Sequence, residues 1–343
     1  MSSVPVFTVA DFSCLPGVKL GHADLPRAAT GVSALVFEQP AVASVSTLGG
    51  APGGRDTQML EPEFTVERVD ALILSGGSAF GLDAAGGAMR MLAAMGRGLA
   101  VGAARVPITP QAIIFDLLNG GDKTGVDYAL LGKEAVEVAI PHICMGSVGA
   151  GMGATTATLK GGFGAAEAVS RGGFRVQAFM VVNAIGTPCL PDGSFWAAPF
   201  EQNGEFGARP LPHPLPESAL RLRIKGHAQA PGEDIPHQPA TTIGVVITDA
   251  ALTKAQAKRL AIMAQDGLAR ALRPAHAPMD GDTLFAAATG EKPMREPLLD
   301  LTEIGMLAGD CVARAIALGV YHARALPFAG ALPDWQSLYS AKP

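Results

Sequence analysis

The feature that most constrains this chain is an abrupt change of character at residue 241. Residues 197–240, AAPFEQNGEFGARPLPHPLPESALRLRIKGHAQAPGEDIPHQPA, are rich in proline, glycine and charge, with little periodicity beyond a possible helical turn over Glu217–Arg223. Such a stretch reads as a long exposed linker. Unstructured segments of this length are uncommon inside a compact unit, which points to a lid or a processing segment. The next residues, TTIGVVITDA, form a β-branched apolar run that predicts a buried strand headed by Thr241 and Thr242.

That junction has a chemical reading. A threonine hydroxyl is a weak nucleophile at neutral pH, and one way to activate it is to make the threonine an N-terminus, whose own α-amine helps take the proton. Cutting between Ala240 and Thr241 would do this: an accessible segment precedes the bond and a rigid strand follows it. The plain alternative is that Thr241 and Thr242 are β-branched residues opening a strand. The residues alone leave both open.

The rest of the chain predicts layered α+β or α/β packing in one compact unit spanning residues 1–343. The segment from Val32 to Val45 reads as two strands with a hairpin turn at Gln39-Pro40. A short strand around Ala71–Leu74 and a Gly/Ser turn lead into a helix from about Ala79 to Met95. Its glycines Gly81, Gly86 and Gly87 each cost up to about 1 kcal/mol against alanine, so they imply close backbone packing. A strand then feeds the glycine-rich MGSVGAGMGATTATLKGGFG, containing Lys160, and FRVQAFMVVNAIG ends a strand at Asn183. After the Thr241 strand, LTKAQAKRLAIMAQDGLARAL has the apolar spacing of a helix, with Lys254, Lys258 and Arg259 largely on its polar side. Asp280 and Asp282 flank Gly281 before a short strand, and a last helix covers roughly Leu301–Leu318.

Composition excludes several classes. With 26 Lys+Arg against 31 Asp+Glu the formal net charge is −5, and no basic block suggests nucleic acid or a membrane surface. The N-terminus has no basic segment followed by an apolar run, and no stretch gives about 18 uninterrupted apolar residues, so a cytoplasmic location is the default expectation. Cys14, Cys144, Cys189 and Cys311 have neither CxxC nor disulfide-framework spacing, and the 7 histidines form no HExxH pattern. No metal is expected. Gly149–Ala154 formally fits G-x-G-x-x-A, but the β-branched, glycine-interrupted residues after it make a poor helix N-terminus for a pyrophosphate. No cofactor is expected either.

The Thr241–Val246 junction, the LTKAQAKRLAIMAQDGLARA helix, the Asp280-Gly281-Asp282-Thr283 turn and the upstream GGSAFGLDAA, RVPITPQAIIFDL, GSVGAGMGAT and KGGFG segments together resemble the self-processing aminopeptidase and nylon-oligomer hydrolase family. The likeness spans nearly the whole chain, with 197–240 least matched. It implies a four-layer αββα sandwich like that of N-terminal-nucleophile hydrolases, and cleavage into 1–240 and 241–343. It also implies that the fragments stay together, and a homo-oligomer of four copies or more. In the nylon-oligomer branch the active site holds a lysine, an asparagine and the two aspartates of an Asp-Gly-Asp turn, which fall here on Lys160, Asn183, Asp280 and Asp282. That branch has asparagine before the nucleophile; this chain has Ala240.

The roles that follow are Thr241 as nucleophile, and Lys160 as base, proton shuttle or oxyanion charge. Asn183 becomes an oxyanion donor, and Asp280 and Asp282 hold the new amine and Lys160. The plain alternatives are a surface lysine, a strand-end cap and an Asp-Gly turn. The substrates implied are peptides or amide oligomers. Two other readings are an acyltransferase of the ornithine acetyltransferase type and a non-catalytic glycine-rich ligand-binding protein.

Overall fold

The computed structural model of the chain describes residues 7–226 and 239–340. Its strands are β1 (Phe7–Val9), β2 (Val18–Leu25), β3 (Thr30–Thr47), β4 (Gly54–Arg55), β5 (Arg68–Ser75), β6 (Leu99–Val101), β7 (Ala104–Val106), β8 (Gln111–Ile113), β9 (Cys144–Gly146), β10 (Phe163–Val169), β11 (Arg175–Asn183), β12 (Thr241–Ala250) and β13 (Thr283–Lys292). Its helices are α1 (Asp83–Ala94), α2 (Tyr128–Glu137), α3 (Glu217–Leu220), α4 (Lys254–Ala264), α5 (Asp266–Ala271), α6 (Pro297–Tyr321) and α7 (Trp335–Tyr339). Strand pairing runs β1-β9-β10-β11-β12-β13-β3-β5-β8-β4, with β2 beside β3 and a separate β6–β7 hairpin.

The architecture is the αββα sandwich. On the β2–β3–β5 side, Val32, Ala34, Val36, Ala71 and Ile73 face α1 and α2, whereas Leu35, Phe37, Leu72 and Leu74 turn to the main core shared with β10–β13. This is the period-2 alternation of a sheet covered on both faces. On the far side α6 lies on β10 and β11 so closely that a Cβ on Gly164 would meet the Ala315 carbonyl oxygen at 2.0 Å. Helix α6 is long and apolar enough to cross a membrane, with a mean hydropathy of 1.5, but 78% of that window is buried in the fold, as in a core helix.

The expected hairpin at Gln39-Pro40 does not form. β3 is one strand of 18 residues, interrupted only by a register shift between Val36 and Ala41, where Glu38, Gln39 and Pro40 are exposed. The reason is tertiary: β5 pairs with both sides of the shift, and a bulge tolerates a residue without a backbone N–H. Beyond the shift, Val42–Thr47 pairs with β13, so a single strand serves both layers. The predicted long helix after β12 breaks at Gln265 into α4 and α5. Lys254, assigned to the polar side, is buried, its Nζ donating to the carbonyls of Met59 and Phe64.

Residues 197–226 also depart from the exposed linker expected of 197–240. Phe206 packs edge-on against Phe195 beneath Trp335, Glu205 pairs with the buried Arg314, and Lys225 is buried. The remainder of that segment, 227–238, lies outside the described residues.

Candidate active site

Thr241 opens β12, in which every residue is buried. Burying Ile243, Val245, Val246 and Ile247 contributes roughly 1.5–3 kcal/mol for each side chain, which fixes the strand. Antiparallel pairing with β11 sets Asn183 opposite Thr241, and parallel pairing with β13 continues back through an Ala240–Asp280 bridge. The register of one strand therefore brings Asn183, Thr241 and the Asp280-Gly281-Asp282 turn together.

At the junction, the Ala240 carbonyl oxygen accepts from the Gly281 N–H at 2.9 Å and from the Thr241 hydroxyl at 2.5 Å. Gly281 has no left-handed φ. Its glycine is needed for space: a Cβ there would lie 2.7 Å from Thr241 Oγ1 and 2.9 Å from the Ala51 carbonyl oxygen.

Both aspartates are buried. Asp282 accepts from the backbone N–H groups of Thr242 (2.8 Å) and His276 (3.0 Å). The His276 ring nitrogen Nδ1 lies 2.9 Å from Asp282 Oδ2 but out of line for a hydrogen bond. Asp280 Oδ1 is buried without a partner among the described residues. Burial first, then the neighbouring Asp282 carboxylate, hold Asp280 well above the ordinary carboxylate range, against the pull of Lys225.

Lys160 is buried, and its Nζ donates to the carbonyls of Gly151 (2.9 Å) and Gly161 (2.6 Å). Lost hydration lowers its pKa to about 7, with Asp116 pulling the other way. Neither aspartate side chain hydrogen-bonds to it; Asp282 is taken up by the Thr242 and His276 N–H groups. Lys160 instead joins the site through Thr155, which bridges to it and donates its N–H to Asn183 Oδ1 at 3.0 Å. Asn183 Nδ2 donates to the Phe115 carbonyl at 3.1 Å, leaving one amide N–H for another acceptor.

Gly149–Gly151 forms a buried 3-10 turn, with no helix behind it to receive a pyrophosphate. A cavity of about 570 Å³ adjoins the junction; Phe115, Asp116, Thr155, Lys160, Lys225 and Pro239 are among its lining residues.

Two of those residues were not singled out from the sequence. Asp116 is buried, accepts from Thr30 Oγ1 (2.6 Å) and the Gly77 N–H (2.8 Å), and is raised by burial. Its only sequence signal is an acid ending the apolar run AIIF. Lys225, in the stretch read as linker, donates through Nζ to Asn183 Oδ1 at 2.8 Å and to the Asn183 carbonyl at 3.3 Å. Nothing in RLRIKG distinguishes it from the charges around it.

The model of peptidase family S58 matches residues 12–331. The chain belongs to peptidase family S58. This S58 chain is 39% identical to an uncharacterized aminopeptidase of Mycobacterium tuberculosis, over 94% of the chain and 96% of the relative. It is 27% identical to the 6-aminohexanoate-oligomer endohydrolase of Paenarthrobacter ureafaciens, over 89% and 80% respectively. Its fold matches a Burkholderia sp. beta-aminopeptidase (TM-score 0.64, 21% identity, 99% and 98% covered). It also matches the L-aminopeptidase D-Ala-esterase/amidase of Ochrobactrum anthropi, described as a variant of the Ntn hydrolase fold (TM-score 0.64, 17% identity, 97% and 95% covered). Membership makes the chain a peptide-bond hydrolase, and its fold is like that of the Ochrobactrum enzyme.

Proposed function

We infer that this S58 hydrolase cuts its own chain between Ala240 and Thr241 and then uses Thr241 as an N-terminal nucleophile on peptides or amide oligomers. The observation that carries the reading is the Thr241 hydroxyl held against the Ala240 carbonyl, whose oxygen also receives the Gly281 N–H.

In self-cleavage, Thr241 Oγ1 adds to the Ala240 carbonyl carbon while its proton passes to a base. The oxygen gains charge under the Gly281 N–H, as in an oxyanion hole. The C–N bond then breaks, the nitrogen takes a proton, and an ester joins Ala240 to Thr241 Oγ1. Water hydrolyses the ester, leaving a carboxylate on Ala240 and a free amine on Thr241. Turnover repeats the attack on a substrate amide: an acyl ester forms on Thr241, the amine product departs and water releases the acid. Burial lowers the Lys160 pKa to about 7, so it can accept a proton at working pH, and its tie to Asn183 through Thr155 supports it as the group that takes the Thr241 proton. The new α-amine emerges beside Asp280, whose buried carboxyl, held above the ordinary carboxylate range in the uncut chain, can give its proton up and become the counter-charge once an ammonium stands next to it, and the free N–H of Asn183 serves the substrate oxyanion.

Thr241→Ala tests the reading. Denaturing electrophoresis should show one full-length chain with no amide hydrolysis, against two fragments and turnover for the wild type. N-terminal sequencing should place Thr241 first in the smaller fragment. Normal processing of Thr241→Ala would refute the assignment.

A further inference from the structure

Lys225 has no role in the chemistry above, yet it is 5% exposed and reaches the centre of the site. Its backbone N–H bonds to the Ile185 carbonyl at 3.0 Å, tying residues 221–226 to the chain just past β11. Its ammonium then turns inward to Asn183. Asn183 Oδ1 thus receives the Thr155 N–H, the Lys225 amino group and, at 3.5 Å, the Thr155 hydroxyl. The backbone N–H among them requires that atom to be the oxygen, because a flipped amide would set its NH₂ against a group that can only donate.

We propose that Lys225 is a positioning residue of the hydrolytic site: it locks the Asn183 carboxamide so that its one free N–H, never the oxygen, remains for a reacting carbonyl. The proposal rests on the N-terminal-threonine reading and extends it to a side chain from the segment that precedes the cut. Without Lys225, Thr155 alone holds the oxygen, and the amide rotates into orientations that repel a developing oxyanion. Only the transition state carries that charge, so the loss falls on kcat more than on KM.

The experiment compares wild type, Lys225→Met, Asn183→Ala and the double variant on amino-acid p-nitroanilides. Lys225→Met should lower kcat about tenfold or more with KM changed less than about threefold, and the double variant should be no slower than Asn183→Ala. Wild-type kcat in Lys225→Met, or losses that multiply in the double variant, would overturn the proposal. Lys225→Gln provides a second variant judged by the same criteria.

A further measurement stands apart from turnover. In uncut Thr241→Ala chain labelled with ¹⁵N-asparagine, the Asn183 NH₂ pair, identified by its loss in Asn183→Ala, should be well dispersed and should collapse in Lys225→Met. An unchanged pair sinks the proposal while leaving the nucleophile assignment standing. An inactive wild type with a collapsed pair sinks the hydrolase reading alone.

Discussion

Thr241 and Gly281 depend on each other. The Asp-Gly-Asp motif suggests a sharp turn, but the backbone at Gly281 is one any residue adopts, and hydrogen suffices there only because Thr241 Oγ1 and the Ala51 carbonyl fill the space. Gly281→Ala therefore forces either the hydroxyl or the turn to move, and the turn carries the N–H that faces the Ala240 carbonyl. Overpacking of this kind costs about 1–3 kcal/mol. We expect the variant to fold with a lower urea midpoint and to retain mostly full-length chain on a denaturing gel. Complete processing at the wild-type rate would remove Gly281 from the cleavage geometry. Asn183, Asp280 and Asp282 were legible as candidates because they sit at a strand end and in an Asp-Gly-Asp turn that the family resemblance picks out, while Lys225 and Asp116 stand in no such pattern. Motifs local in sequence announce themselves, whereas a lone buried charge is recognisable only once its partners surround it.

At the scale of elements, the glycines of the α1 region share one composition but not one reason. Gly87 faces α2, where an added Cβ would meet the Ala129 carbonyl oxygen at 1.7 Å, and Gly132 of α2 meets the Ala84 carbonyl at 2.0 Å in return. Gly81 is equally pinned, by the Gly76 carbonyl at 1.8 Å. Gly86 meets nothing closer than Arg55 Nη1 at 3.3 Å, the movable end of a flexible side chain. Alanine should separate them. Gly87→Ala drives the helices apart and should lower stability by about 1–3 kcal/mol despite its better helix propensity. Gly86→Ala should be neutral or stabilising by up to about 1 kcal/mol. Thermal melts of the two variants check this, and equal losses would mean that the α1–α2 contact is looser than described. The sequence reading of close packing around all three glycines thus holds for Gly81 and Gly87 only. Helical spacing locates a face, but the facing backbone decides which residue on it must be bare.

For the molecule as a whole, the proposed cut falls at the head of a strand that is central to the sheet. β12 pairs with β11 on one side and β13 on the other, and all of its residues are buried. Cleavage at Thr241 removes one covalent bond and none of these contacts. The fragments should therefore elute as a single species from a sizing column and part only at denaturant concentrations that unfold the fold. Separation in native buffer would contradict the idea that the sheet holds them. Legible from the residues alone were the elements whose hydrophobic period is strong and local, β12 and α6, and the close packing at Gly81 and Gly87; Lys160, Asn183, Thr241, Asp280 and Asp282 entered as candidates through the family resemblance. Tertiary structure decided the rest. β3 runs straight through Gln39-Pro40 because β5 bridges the irregularity, and residues 197–226 pack because Phe195, Trp335, Arg314 and Asn183 offer partners to Phe206, Glu205 and Lys225. Periodicity reports how one segment meets an average interior, while a turn not taken or a lysine buried depends on which distant residues are already there to receive it.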